Sequence, residues 1–152
     1  MYSELLVQNK EKTICYILSH LHKRTRDELC EIYGSLYIDN TYREIKDKEV
    51  FVIRLKNNNK PVGLFGLIPQ SDKSAGIFLL TTDYLPEGNM ITFLKGVKKQ
   101  IRQWEKRYSL IMDNCYKQNK QIIKWLTLLG FRPSNYQDDK FQIYYKGDID
   151  EY

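Results

Sequence analysis

The chain has 152 residues, 42% of them hydrophobic and 28% charged, with 12 tyrosines, three cysteines and a net charge of +5. That composition excludes a disordered chain, and the length suits one buried core. The pI near 9.0 favours polyanionic partners such as nucleic acid, an anionic membrane or a phosphorylated cofactor.

Cys15, Cys30 and Cys115 are odd in number, far apart and form no C-x-x-C pair, which argues against a disulfide framework or structural zinc and fits a reducing cytoplasm. No apolar run approaches the roughly 18 residues that cross a bilayer. The first ten residues lack a basic region followed by an apolar core, so neither a membrane span nor a secretion signal is expected. With no repeat, low-complexity tract or linker, and with soft segments at Asn57–Pro61 and Gln70–Ser74 no longer than turns, one domain over residues 1–152 is expected.

In chain order, Ile14, Ile17, Leu18 and Leu21 recur at helical spacing. Thr25 and Glu28 have the form of a capping box opening a second helix, which runs to Tyr33 and stops at Gly34. A short helix is predicted over residues 39–47. Residues 49–56 and 61–68 read as the two strands of a hairpin around the Asn-rich turn, and residues 75–82 as a strand covered on both faces. A long helix follows over 87–107, its apolar stripe formed by Met90, Leu94, Val97, Ile101 and Trp104. Residues 108–112 form a short strand and 117–129 a helix closed by Gly130. Two late strands begin near Phe131 and at Lys140.

This order, with Asn119, Ile122, Ile123, Gly130 and Phe131 in the stretch from Tyr108, resembles the GNAT superfamily of acetyltransferase-like proteins. Lys60 to Gly66 is similar to the family's third strand. Gly76 to Asp83, the basic helix ending in Tyr108, Asn119 through Phe131 and Phe141 to Tyr144 resemble most a bacteriophage branch typified by the internal virion protein A of short-tailed phages. The resemblance covers about residues 49–146. It implies an α/β domain with a mixed twisted sheet of six to seven strands and helices on both faces.

An acetyltransferase of this family holds the pyrophosphate of acetyl-CoA with a Gln/Arg-x-x-Gly-x-Gly/Ala loop between the fourth strand and the long helix. Glycines let the backbone approach, and amides at the helix start bind the anion. Here the loop keeps its length, but Pro86, Asn89 and Ile91 stand at its marked positions and Gly88 is one residue out of register. Proline brings no donor, and a β-branched Ile91 is expected in the path of the phosphates. The resemblance makes Leu80, Thr81, Thr82, Gly88, Asn89 and Asn119 the residues that would hold the cofactor. Many family members protonate the leaving thiolate with a tyrosine on the last helix. Leu126 occupies that position, beside Trp125, so no catalytic residue is assigned. Tyr116 and Tyr136 are nearby in sequence only.

Lys95, Lys98, Lys99, Arg102, Lys106, Arg107, Lys117, Lys120 and Lys124 make Lys95–Lys124 strongly basic. The plain reading is a solvated helix face; the alternative is a weak polyanion patch for nucleic acid or the 3′-phosphate of CoA. His20 and His22 point apart on a helix, and nothing completes a metal site. Cys115 has no placed base, so it reads as a packed residue. Tyr136, Tyr144, Tyr145 and Tyr152 read as strand and surface packing, an exposed subset being suited to a protein interface.

The leading expectation is a catalytically degenerate phage internal virion or assembly protein that uses the fold as a scaffold for virion or host proteins, in the virion or host cytoplasm. The alternative is a cytoplasmic N-acetyltransferase that moves acetyl from acetyl-CoA to an amine of a protein or small molecule.

Overall fold

The computed structural model of the chain describes residues 1–86 and 90–152, the side chains of Met90 and Glu151 excepted. Its elements are β1 (Tyr2–Leu5), α1 (Lys10–Leu18), α2 (Lys23–Tyr33), α3 (Tyr37–Ile45), β2 (Glu49–Arg54), β3 (Pro61–Pro69), β4 (Ser74–Thr81), α4 (Met90–Glu105), β5 (Leu110–Tyr116), α5 (Lys120–Leu128), β6 (Arg132–Gln137) and β7 (Phe141–Gly147). The strands form one seven-stranded sheet in the order β1-β2-β3-β4-β5-β7-β6. β4 and β5 pair in parallel through Ser74↔Leu110, Ala75↔Ile111 and Gly76↔Met112, which the intervening α4 crossover makes possible. The pairs β1–β2, β2–β3, β5–β7 and β6–β7 are antiparallel. The fold is therefore the mixed α/β arrangement that the order of elements implies.

Two compact units make up the chain: Met1–Leu67 with Phe78–Phe93, and Ile68–Ile77 with Leu94–Tyr152. In the first, Ile14, Ile17 and Leu18 of α1 are buried, as are Val50, Val52 and Ile53 of β2 and Val62, Leu64 and Phe65 of β3. The Phe51 and Phe65 rings, directly opposite across β2 and β3, stack at 5.2 Å. α2 starts two residues before Thr25, and the expected Thr25–Glu28 box does not form. His22 is the N-cap, its Nδ1 accepting from the Arg24 N–H at 3.1 Å. Thr25 is instead buried, its hydroxyl 3.2 Å from that of Thr81: a tertiary partner has displaced the local one. The Lys23–Asp27 pair on α2 is largely exposed and adds at most about 0.5 kcal/mol, so burial of Leu29 and Thr25 carries more of the helix's docking.

In the second unit α4 buries Leu94, Val97, Ile101 and Trp104, and α5 buries Ile122, Trp125 and Leu126. α5 closes as expected at Gly130, which takes φ 95°. The Phe131 N–H donates to the Leu126 carbonyl at 2.9 Å and the Gly130 N–H to the Thr127 carbonyl at 3.0 Å. These two bonds are the Schellman pattern, and only a residue tolerant of positive φ fits at its turn.

Candidate functional site

In a strand, the N–H and C=O of one residue share an edge and successive residues use opposite edges. This rule orients the end of β4. Gln70 N–H donates to Ser74 C=O, and Thr82 N–H to Val62 C=O, so β3 and β4 run antiparallel as a hairpin. The Thr82 hydroxyl also donates to Val62 C=O at 2.8 Å. Thr82 and Leu80 thus direct their main chain toward β3. The Leu80 carbonyl oxygen lies 3.1 Å from where a Cβ on Gly63 would stand. Thr81 uses the other edge, and its carbonyl accepts the His22 N–H at 2.8 Å. Leu21 forms an isolated antiparallel bridge with Thr82, so Leu21 and His22 run alongside the strand end. The expected cofactor residues Leu80 and Thr81 on β4 and Thr82 just past it are all buried, and the main-chain carbonyl of the middle one is engaged.

Sequence reasoning missed a ring cluster beside this strand end. The His20 ring lies 4.4 Å from Tyr16 and 5.7 Å from Tyr84. His20 Nδ1 is 2.8 Å from the Tyr16 carbonyl. A carbonyl only accepts, so Nδ1 is the donor in this contact. Lys60 Nζ sits 3.5 Å from the Tyr84 ring centre. The helical i, i+4 spacing of Tyr16 and His20 was visible in the sequence; Lys60 and Tyr84 join them only through the β3–β4 hairpin. Among the described residues no group of three or more His, Cys, Asp and Glu side chains comes together.

After Thr82 the chain turns, with Tyr84 N–H donating to the Thr82 hydroxyl and Leu85 N–H to the Thr82 carbonyl. Pro86 is half-buried. The loop candidates Gly88 and Asn89 lie outside the described residues. α4 then runs 16 residues. The first amides of a helix have no intrahelical acceptor and carry a partial positive charge. Ile91, expected in the path of the phosphates, is 74% exposed, and Thr92 is exposed too. The side chain of Ile91 therefore stands in solvent.

In the second unit Asn119 caps α5: its Oδ1 accepts the Ile122 N–H at 3.3 Å, and the residue is buried. Leu126 is completely buried and Trp125 nearly so, and neither carries a proton that could move. Tyr116 is buried with its ring against Phe141, and Tyr136 is exposed against Tyr152. Burial raises the Tyr144 phenol above its ordinary pKa, so it stays neutral at physiological pH. Among the described residues no helix is long and apolar enough to cross a membrane.

No family model matches the chain, and no curated protein matches it significantly. Solved structures do. The chain is similar to the GNAT domain of S. lividans PAT, with a TM-score of 0.71 at 11% identity over 96% of this chain and 89% of that one. It resembles the ribosomal-protein-alanine N-acetyltransferase of Brucella melitensis at a TM-score of 0.68 and 12% identity, over 97% of this chain and 100% of the other. A third similar structure is the microcin C7 self-immunity acetyltransferase MccE, solved with acetyl-CoA and AMP, at a TM-score of 0.66 and 13% identity over 97% and 93%. The fold is that of the GNAT acetyltransferases.

Proposed function

We propose that the chain is an N-acyltransferase that moves an acetyl group from acetyl-CoA to an amine of a protein or small molecule, its 152 residues acting as one domain. The observation that carries this reading is the passage from β4 through a turn into the start of a 16-residue helix whose first exposed side chains, Ile91 and Thr92, stand in solvent. That passage leaves the α4 amides to receive a pyrophosphate, with Leu80, Thr81 and Thr82 beside the thioester arm.

The chemistry asks little of side chains. The amine nitrogen attacks the thioester carbonyl carbon, the N–C bond forms, and the C–S bond breaks with its electron pair on sulfur. The amine proton reaches sulfur through solvent, since Leu126 offers none. The sulfur leaves as a thiolate and takes its proton from solvent, without a dedicated acid. One similar enzyme is named for a ribosomal-protein alanine and another for self-immunity to microcin C7, so the acceptor is left open. Release of free CoA thiol from acetyl-CoA, followed with a thiol reagent across free amino acids, polyamines and peptide N-termini, tests the reading. Turnover above the protein-free rate with at least one amine class is expected. Turnover with none of them counts against it.

A second reading keeps the fold and drops the reaction. It is a bacteriophage internal virion or assembly protein whose partners are virion or host proteins. Full burial of Leu126 where many relatives place a tyrosine, and the Thr81 carbonyl taken up by His22, favour it.

A further inference from the structure

α4 carries a second organised face besides its buried one. At about 100° per residue, Lys95, Lys99, Arg102 and Lys106 fall within a sector of roughly 60°, opposite the buried stripe of Leu94, Val97, Ile101 and Trp104. Lys106 lies in the turn that continues the helix, its N–H donating to the Gln103 carbonyl. All four cations are exposed. Among the described residues, none of them is paired with a carboxylate. Glu105 is the one acid of the helix, and it is held off this face by Lys146, at 3.0 Å.

A row of unpaired like charges is unfavourable alone and is relieved by an anion with many charges. Eleven residues of helix put its ends about 16 Å apart, a span matching about five phosphate steps of one strand at about 3.4 Å each. Between Lys95 and Lys106 no large apolar or aromatic side chain is exposed. A membrane surface would find one exposed apolar side chain beside the row, Ile91 a turn before Lys95, too little to anchor it, and an unpaired strand would find no stacking platform. We infer that Lys95, Lys99, Arg102 and Lys106 form a sequence-independent binding surface for the phosphate backbone of double-stranded nucleic acid.

The test is fluorescence anisotropy of a labelled random-sequence DNA duplex of about 20 base pairs, titrated with the full chain at several salt concentrations. Neutralising four contacts changes the slope of log K against log salt by about 3 to 4. The protein is expected to bind with such a slope. The quadruple variant Lys95→Gln, Lys99→Gln, Arg102→Gln, Lys106→Gln should bind at least about tenfold more weakly with most of that slope gone, at an unchanged unfolding temperature. The variant Lys95→Arg, Lys99→Arg, Lys106→Arg should bind like the parent. No binding of the parent at low salt overturns the inference. So does equal binding by the quadruple variant, or binding to phosphatidylserine vesicles in place of the duplex.

Discussion

Gly66 on β3 faces Phe78 on β4, and the ring lies where a side chain would otherwise be. A Cβ at Gly66 would run into the Phe78 ring and the Glu49 carbonyl oxygen. The ring can turn, but the backbone oxygen belongs to β2 and is fixed by the sheet. Gly66→Ala is therefore expected to destabilise by about 2 kcal/mol or more, read as a lower urea midpoint with an unchanged denaturant slope. An unchanged midpoint would mean that the two strands separate without cost. Single residues were also where the sequence was least legible. Thr25 and Glu28 fit a local capping rule, and nothing local reports that Thr81 lies beside Thr25 in the folded chain. His20 and His22 are two residues apart, a spacing that turns them away from each other on a helix. Their actual partners, the Tyr16 carbonyl and the Arg24 N–H, follow from where α1 ends and α2 begins.

At the scale of elements, the turn between β6 and β7 is organised by Asp138. Its Oδ1 accepts N–H bonds from Phe141 at 2.7 Å and Lys140 at 2.9 Å. The Phe141 bond first, then the Lys140 bond and the charges of Lys117 and Lys140, hold its carboxyl below the usual aspartate range. A carboxyl with a depressed folded pKa stabilises above its unfolded pKa, and that contribution is lost as pH falls through the folded value. Asp138→Asn keeps an acceptor and removes the charge. The stability gap between parent and variant is thus expected to hold above about pH 5 and to narrow progressively as pH falls below it, measured by urea unfolding at each pH. A gap independent of pH would show that the charge is idle.

Elements with strong periodicity were legible. The stripe of α4 and the apolar run of β4 sit where their spacing puts them, because burial chooses the same face that the pattern marks. β1 was not foreseen: its four residues are mostly exposed and are strand only because they pair with β2. β5 runs on to Tyr116, past the strand expected over 108–112. Asp113 and Asn114 read as loop, yet they pair with Tyr144 and Ile143 of β7, a contact no local pattern records.

For the whole molecule, the order of elements carried the fold further than any motif did. Structures 11–13% identical superpose over nearly the full chain, so the shared information is the pattern of burial and turns and not residue identity. Of the candidate residues, the end of the apolar strand at Leu80 and Thr81 and the capping of α5 by Asn119 follow from sequence. The occupation of the Thr81 carbonyl by His22, and the outward side chain of Ile91, depend on tertiary placement.

Calorimetric titration of the purified protein with acetyl-CoA at low salt tests most directly whether this fold still takes its thioester. Saturable binding with a dissociation constant on the order of micromolar, about 8 kcal/mol of binding free energy, and a matching rise in unfolding temperature are expected. No heat and no thermal stabilisation at millimolar acetyl-CoA would contradict the acyltransferase reading and leave the scaffold reading in its place.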